Sequence, residues 1–172
     1  MNWIKKVKSV HDFSRAAAVL FLCALLQCLA LPADRAGANE LEGFRGLRWG
    51  TTVEALGYTN LIDEIDGIKY YRKMNDEMHL GTAGVKDIAY AFSSKGLVGV
   101  LVNSKGVENA RLILETLKRA YSEPAKRNDN NYYWSFWGEA SIYYNYNPSS
   151  RNLFVSYVAP EGAGRVRFPR QR

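Results

Sequence analysis

The segment VKDIAYAFSSKGLVGVLVN (residues 85–103) constrains the fold most strongly, because apolar residues alternate on both sides of a short polar centre. This alternation is typical of a β-hairpin, and Ser94-Lys95 is the natural two-residue turn. With that turn, Tyr90 would lie opposite Gly99, so that an aromatic ring covers a strand glycine. The hairpin predicts an antiparallel sheet.

Further strands are predicted from IKYYRK (68–73), NYYWSFW (131–137), ASIYYNY (140–146) and LFVSYVA (153–159). One strong helix is predicted from GVENARLILETLKRAYSEP, whose apolar residues follow helical spacing on one buried stripe: Val107, Ala110, Leu114, Leu117 and Tyr121. A shorter helix is predicted within 46–58, where Thr51 and Glu54 can form a capping box. The segment NLIDEIDG is interpreted as an irregular extension of that helix.

The two halves of the chain align with each other. KDIAYAFSSKGLVGVLV lies over ASIYYNYNPSSRNLFVSYV, and residues 44–103 and 104–160 each read as helix, strand, strand, strand. A repeat of this length is typical of a duplicated supersecondary unit, although any two amphipathic hairpins share some likeness. We therefore expect an α+β fold: one antiparallel sheet of about six strands with helices gathered on one face.

The N-terminus has the pattern of a secretory signal peptide, with basic residues before an apolar run over 16–31. Ala36-Gly37-Ala38 then fits a signal-peptidase site, so we expect a signal peptide at 1–38 and one domain at 39–160. The run is shorter than the roughly 20 apolar residues that span a bilayer. Cys28 follows Gln27 rather than a small residue, so lipid attachment there is disfavoured. Localisation is expected to be exported, either periplasmic or extracellular.

Cleavage would change the charge of the chain. Five of the 23 basic and two of the 17 acidic residues lie in the leader, which leaves a net charge of +3. Four positive charges cluster in a tail, 161–172, that is expected to be disordered: Arg165, Arg167, Arg170 and Arg172. The domain itself is nearly neutral, which argues against nucleic-acid binding. The tail arginines are a candidate contact with an anionic membrane surface.

The segment GLRWGTTVEALG resembles the opening of the BamE/SmpA outer-membrane small proteins, with Thr51 where that family has methionine. The doubled helix-plus-sheet plan resembles the tandem units of the beta-lactamase inhibitor protein. GFRGLRWGTTVEAL, KYYRKMND and IAYAFSSKGLVGV together resemble a set of small exported bacterial proteins, and this likeness covers most of 43–158. These resemblances imply an envelope address and a fold, whereas function does not follow from fold alone.

Catalytic chemistry has little support in the sequence. Asp76, Glu77 and His79 are the only cluster that offers carboxylate and imidazole together, but their spacing matches no paired-ligand pattern. No nucleophile elbow or phosphate-binding glycine loop is present. We therefore predict no catalytic residue, no metal and no cofactor, with a solvated loop at 76–79.

The aromatic residues suggest a binding surface instead. If Gly138-Glu139 is a two-residue turn, one face of the last strands includes Tyr133, Trp137 and Ile142, which are assigned to the core. The other face then carries five candidate partner-binding residues: Tyr132, Trp134, Phe136, Tyr143 and Phe154. Rigid aromatic side chains of this kind anchor protein partners and stack on sugars.

The sequence thus favours an exported, non-catalytic envelope protein that binds a protein or glycan partner through an aromatic sheet face. A first alternative is a small periplasmic hydrolase or metal-dependent enzyme that uses the Asp76–His79 loop. A second alternative is an assembly accessory that makes peripheral contact with the membrane surface.

Overall fold

The computed structural model describes residues 41–136 and 138–168, and this part of the chain is mostly β-structure. Its elements follow in this order: β1 (Gly43–Phe44), β2 (Leu47–Arg48), a 3-10 helix (Val53–Leu56), β3 (Thr59–Ile65), β4 (Ile68–Lys73), β5 (His79–Leu80), β6 (Ala83–Gly84), β7 (Asp87–Ser93), β8 (Gly96–Lys105), α1 (Val107–Tyr121), β9 (Ala125–Asn128), β10 (Asn131–Ser135), β11 (Ser141–Asn147), β12 (Asn152–Val158) and a 3-10 helix (Pro160–Gly162). No helix within these ranges is long and apolar enough to cross a membrane. The predicted signal peptide at 1–38 lies outside them.

The predicted α+β architecture, with about six strands and several helices on one face, is wrong. The strands β3-β4-β7-β8-β12-β11-β10-β9 form one eight-stranded antiparallel sheet, in that order, and the described residues contain a single α-helix. The strand β3 occupies the segment that was interpreted as an extension of the first helix. It forms because Asp66 and Gly67 both have positive φ (51° and 74°) and join Ile65 to Ile68 in a tight hairpin turn.

The sheet has two halves that meet at its centre. The strands β3, β4, β7 and β8 form one half, β9 to β12 form the other, and β8 pairs with β12 along seven residue pairs. Each half therefore contributes four strands to the sheet, where the sequence predicted three. The duplication itself stays a prediction.

The β7–β8 hairpin turns at Ser94-Lys95, as predicted, with Ser93 paired to Gly96. A bulge between the Phe92–Leu97 pair and the next pair shifts the register. Ala91, and not Tyr90, therefore lies opposite Gly99. The bulge absorbs one residue of β8 and leaves Tyr90 on the face that carries the helix. Here the turn was predictable, but the irregularity in the strand was not.

The helix α1 packs on one side of the sheet, which we call the helix face. Its buried residues are Ala110, Ile113, Leu117 and Tyr121. The predicted stripe was rotated: Val107 is 63% exposed and Ile113 is fully buried. The Tyr144 hydroxyl donates a hydrogen bond to the Ala110 carbonyl oxygen at 3.0 Å, which joins the helix to β11 beneath it.

The opposite side of the sheet, which we call the second face, has a smaller buried cluster that includes Tyr70, Val98 and Leu101. Val166 and Phe168 pack against this cluster. Disorder of the tail at 161–172 stays a prediction, although Val166 and Phe168 contact the sheet. Residues 169–172 lie outside the described residues.

Candidate functional site

Three of the five predicted partner-binding aromatics lie on the helix face. Ser135 pairs with Ser141, so five residues and not two connect β10 to β11, and the alternation along β10 is reversed relative to the prediction. Trp134 is 4% exposed, and its indole N–H donates to the Ser122 carbonyl oxygen at 3.0 Å. These interactions make Trp134 part of the core.

Tyr132 and Phe136 pack against the same core. The Tyr132 ring meets the Tyr144 ring edge-on at 5.5 Å, and the Phe136 ring lies 5.8 Å from that of Tyr121. Both residues are partly buried. Their surroundings account for them as packing residues, and the structure gives no reason to assign them to a partner.

The other two predicted residues, Tyr143 and Phe154, lie on the second face, and Tyr133 joins them. Tyr133 and Tyr143 are directly opposite each other on β10 and β11, with ring centroids 4.8 Å apart and planes 34° apart. The Arg127 guanidinium lies over both rings, 5.1 Å from the Tyr133 centroid and 5.7 Å from the Tyr143 centroid. We call this cluster of Arg127, Tyr133 and Tyr143 the tyrosine surface.

Hydroxyl groups surround the tyrosine surface and tune its two phenols in opposite directions. Hydrogen bonds from the Ser135 and then the Ser141 hydroxyl lower the pKa of Tyr133. Partial burial, followed by the charge of the Tyr133 phenolate, raises the pKa of Tyr143. The two phenols therefore differ in acidity although they are chemically alike.

The composition of the surrounding strands is unusual. The second-face positions of β10, β11 and β12 are Asn131, Tyr133, Ser135, Ser141, Tyr143, Asn145, Asn147, Asn152, Phe154, Ser156 and Val158. None of them is Lys, Arg, Asp or Glu, although charged residues make up 23% of the chain. An ordinary solvated sheet face is rich in such charges. This half of the second face is uncharged, polar and aromatic, apart from Arg127.

A groove of about 810 Å³ lies mainly on the other half of the second face and extends to Asn152 and Phe154 of β12. Ala89 and Leu101 belong to its floor, and Phe154 and Phe168 form a wall, with ring centroids 4.6 Å apart. At one end, Arg72 makes a two-pronged ion pair with Asp87, at 2.6 and 2.7 Å. We call this feature the Asn103 groove, after the buried asparagine in its lining.

Hydrogen bonds within the protein hold one end of the Asp76–His79 loop. The Asp76 carboxylate accepts hydrogen bonds from the Tyr90 hydroxyl at 2.7 Å and from Arg45 at 3.2 Å, and its side chain is only 7% exposed. Arg45 also donates to the carbonyl oxygens of Glu77 and His79. Burial, and then the bond to Asp76, raises the pKa of Tyr90 far above its ordinary value.

The hydrogen bonds from Arg45 and Tyr90 fix the Asp76 side chain and the backbone of the loop. His79 is exposed and lies 3.7 Å from the Glu77 carboxylate. Among residues 41–136 and 138–168, no group of three or more His, Cys, Asp or Glu side chains could hold a metal ion. The loop was predicted to be solvated throughout. In the structure the Asp76 side chain is largely buried and hydrogen-bonded, and His79 is exposed.

Two of the tail arginines contact the turn between β3 and β4. Arg165 donates to the Asp66 carbonyl oxygen at 3.4 Å, and an Arg167 guanidinium nitrogen lies 3.9 Å from the Asp66 carboxylate. The Arg167 backbone N–H also donates to the Tyr70 hydroxyl at 3.0 Å. The other two predicted surface-contact residues, Arg170 and Arg172, lie outside the described residues.

Comparison with known proteins assigns no family or function to this chain. No family model matches the chain, and no curated protein or solved structure is similar to it. The likeness of its opening segment to BamE/SmpA proteins therefore stays a prediction, and the function has to be argued from the site.

Proposed function

We propose that this chain is an exported, non-catalytic binding protein that engages a protein partner through the tyrosine surface. The observation that carries the proposal is the absence of charged residues along three adjacent strands whose exposed side chains are Tyr, Ser and Asn. Antibody combining sites have a similar composition, with tyrosine and arginine as anchors and serine and asparagine as adaptable hydrogen-bonding groups. Protein interfaces are also depleted in Lys, Glu and Asp.

The side chains of the tyrosine surface contact one another without a partner. Its two tyrosines sit on paired strands inside an eight-stranded sheet, and each ring touches the other and Arg127. A side chain that is already fixed loses little entropy on binding, which favours affinity. The export part of the proposal is supported by the signal-peptide pattern at 1–38.

A catalytic alternative has no comparable support. The Asp76 carboxylate, which would have to serve as acid, base or metal ligand, is engaged by Arg45 and Tyr90. The membrane-accessory alternative would use the tail arginines, two of which contact Asp66. We therefore place binding at the tyrosine surface first.

The proposal can be tested with a photo-crosslinking residue at Asn145, which lies beside Tyr143 on β11. Crosslinking in native cells identifies the bound molecule, and binding of the purified pair then gives a dissociation constant. Replacing Tyr133 and Tyr143 together with Ala is expected to weaken binding about 30-fold or more, since the loss of even one central aromatic anchor costs about 2 kcal/mol.

Tyr58→Ala is the matched control, because Tyr58 is 90% exposed and precedes β3, at the far edge of the sheet. It should leave binding unchanged. Equal effects of the control and the double variant would refute the tyrosine surface as the interface. If the crosslinked molecules are only glycans, the partner is a glycan and the proposed protein partner is wrong.

A further inference from the structure

We propose that the Asn103 groove is a second binding site, separate from the tyrosine surface, and that it takes an uncharged saccharide. The first observation is an unpartnered polar atom. Asn103 is 7% exposed, and its side-chain oxygen is buried and accepts no hydrogen bond from any described residue. Buried polar atoms in folded proteins are almost always paired, so an unpaired one needs an explanation.

The position of Asn103 connects this oxygen to the groove. It lies on the central strand β8, between Asp87 on β7 and Phe154 on β12, and all three line the groove. The terminal torsion of an asparagine side chain is soft, so the amide can turn and present either its oxygen or its nitrogen to a ligand. A ligand hydroxyl that donates to this amide would supply the missing hydrogen bond.

The positive and negative charges that line the groove are equal in number. Its lining has three acidic and three basic side chains: Asp63, Asp76, Asp87, Arg72, Lys73 and Lys86. Arg72 and Asp87 form an ion pair within this set, and Asp76 is paired with Arg45, which is not part of the lining. A cation bound at Asp87 or Asp76 would have to displace Arg72 or Arg45, whereas an uncharged ligand would displace neither.

The remaining lining matches the two-sided chemistry of a sugar ring. Asn103 and Asn152 offer planar amides that both donate and accept, which suits hydroxyl groups. Phe154 and Phe168 offer aromatic surface to the C–H side of the ring. The volume of about 810 Å³ lies within the usual range of pockets for small molecules.

The test uses the intact chain labelled with ¹⁵N and titrated to millimolar concentration with neutral oligosaccharides. The probes are maltotriose, cellotriose and triacetylchitotriose, and the controls are inorganic phosphate and a basic peptide. We expect one of the sugars to shift the backbone amides of Ala89, Leu101 and Asn103. Asn103→Leu should raise the dissociation constant for that sugar about tenfold or more, because the ligand hydroxyl loses its hydrogen-bond partner.

Asn145→Leu is the matched control, since Asn145 lies on the same face beside the tyrosine surface and should leave sugar affinity unchanged. If Asn103→Leu does not fold, Asn152→Ala and Phe154→Leu should each weaken binding in a chain whose circular dichroism is unaltered. Absence of groove shifts with every sugar, shifts with phosphate or peptide in place of sugar, or unchanged sugar affinity in the groove variants would overturn the proposal.

The two proposals fail independently. Asn103→Leu should keep the partner affinity of the parent chain, and the double variant of Tyr133 and Tyr143 should keep its sugar affinity. Loss of partner capture with intact sugar binding would remove the proposed function alone. Intact partner capture without sugar binding would refute the groove proposal alone.

Discussion

Gly96 is a position where a single added methyl group should be costly. It is the first residue of β8, it has φ +91°, and a Cβ built there would lie 2.5 Å from the Gly50 carbonyl carbon and 2.7 Å from the Thr51 oxygen. Real Cβ atoms do not approach backbone so closely. Gly96→Ala must therefore displace residues 50 and 51 from the hairpin.

The size of the effect follows from what that displacement breaks. The Gly50 N–H donates to the Leu97 carbonyl oxygen and the Leu97 N–H donates to the Thr51 oxygen, both at 2.8 Å. Each hydrogen bond contributes about 1 kcal/mol net, and the left-handed backbone costs a further 1–2 kcal/mol or so for a residue with a side chain. Gly96→Ala should lower the free energy of unfolding by about 3–4 kcal/mol.

Gly57→Ala is the matched control, because Gly57 has φ +81° and no atom within 4 Å of an added Cβ. It should cost about 1–2 kcal/mol, the backbone contribution alone. Urea unfolding followed by tryptophan fluorescence would separate the two variants, since a difference of about 2 kcal/mol moves the midpoint by about 1 M. If Gly96→Ala costs no more than Gly57→Ala, the close approach of the N-terminal segment to the hairpin is wrong.

Three further predictions concern stability. Ile113→Ala should cost about 2–5 kcal/mol in urea unfolding and Val107→Ala less than about 0.5 kcal/mol, because only Ile113 is buried; the opposite order would mean that the helix is rotated. Asn103→Leu should raise the free energy of unfolding by about 1 kcal/mol, since it removes an unpaired buried polar atom, and a lower melting temperature would contradict this. Burial raises the pKa of three tyrosines, Tyr70, Tyr90 and Tyr144. Their stabilising contribution is complete below the unfolded-state pKa near 10 and is lost as the pH rises above it, by up to about 1.4 kcal/mol per pH unit for each group. Urea midpoints measured between neutral pH and pH 11 would show this decline, and Tyr144→Phe should reduce its slope.

The sequence predicted those elements whose signals are local. The strand β4, the Ser94-Lys95 turn and the helix α1 were all placed correctly within a residue or two. The strand β3 was missed even though Asp66-Gly67 is a strong hairpin signal, because the preceding TNLIDEI alternates poorly and follows a helical start. The turn signal was present at Asp66-Gly67, but the pattern of the preceding residues favoured a helix.

The candidate site depended on a loop length that the sequence did not reveal. A two-residue turn at Gly138-Glu139 would place Trp134 outside, whereas the five-residue connection places it in the core and brings Tyr133 out. Both faces of β10 carry aromatics, so hydrophobicity could not decide between them. The serines and asparagines of β11 and β12 offered the better signal, because they alternate onto the second face.

The helix stripe was ambiguous for a similar reason. Ala110, Leu117 and Tyr121 belong to either of two stripes, and only the sheet beneath the helix selects Ile113 over Val107. Helical periodicity thus identified the element and its approximate orientation. The final rotation depends on tertiary packing.

The junction of the two halves has a consequence for how the molecule assembles. Pairing within each half joins strands that are near neighbours in sequence, whereas β8 and β12 are separated by the helix and three strands. Closing that long loop has the largest loop-closure cost of the strand pairings in this sheet, so we expect each four-stranded meander to form first and the junction last. At high concentration the same junction can close between two molecules, and exchange of halves about Gly106 would give a domain-swapped dimer with every native strand pair retained.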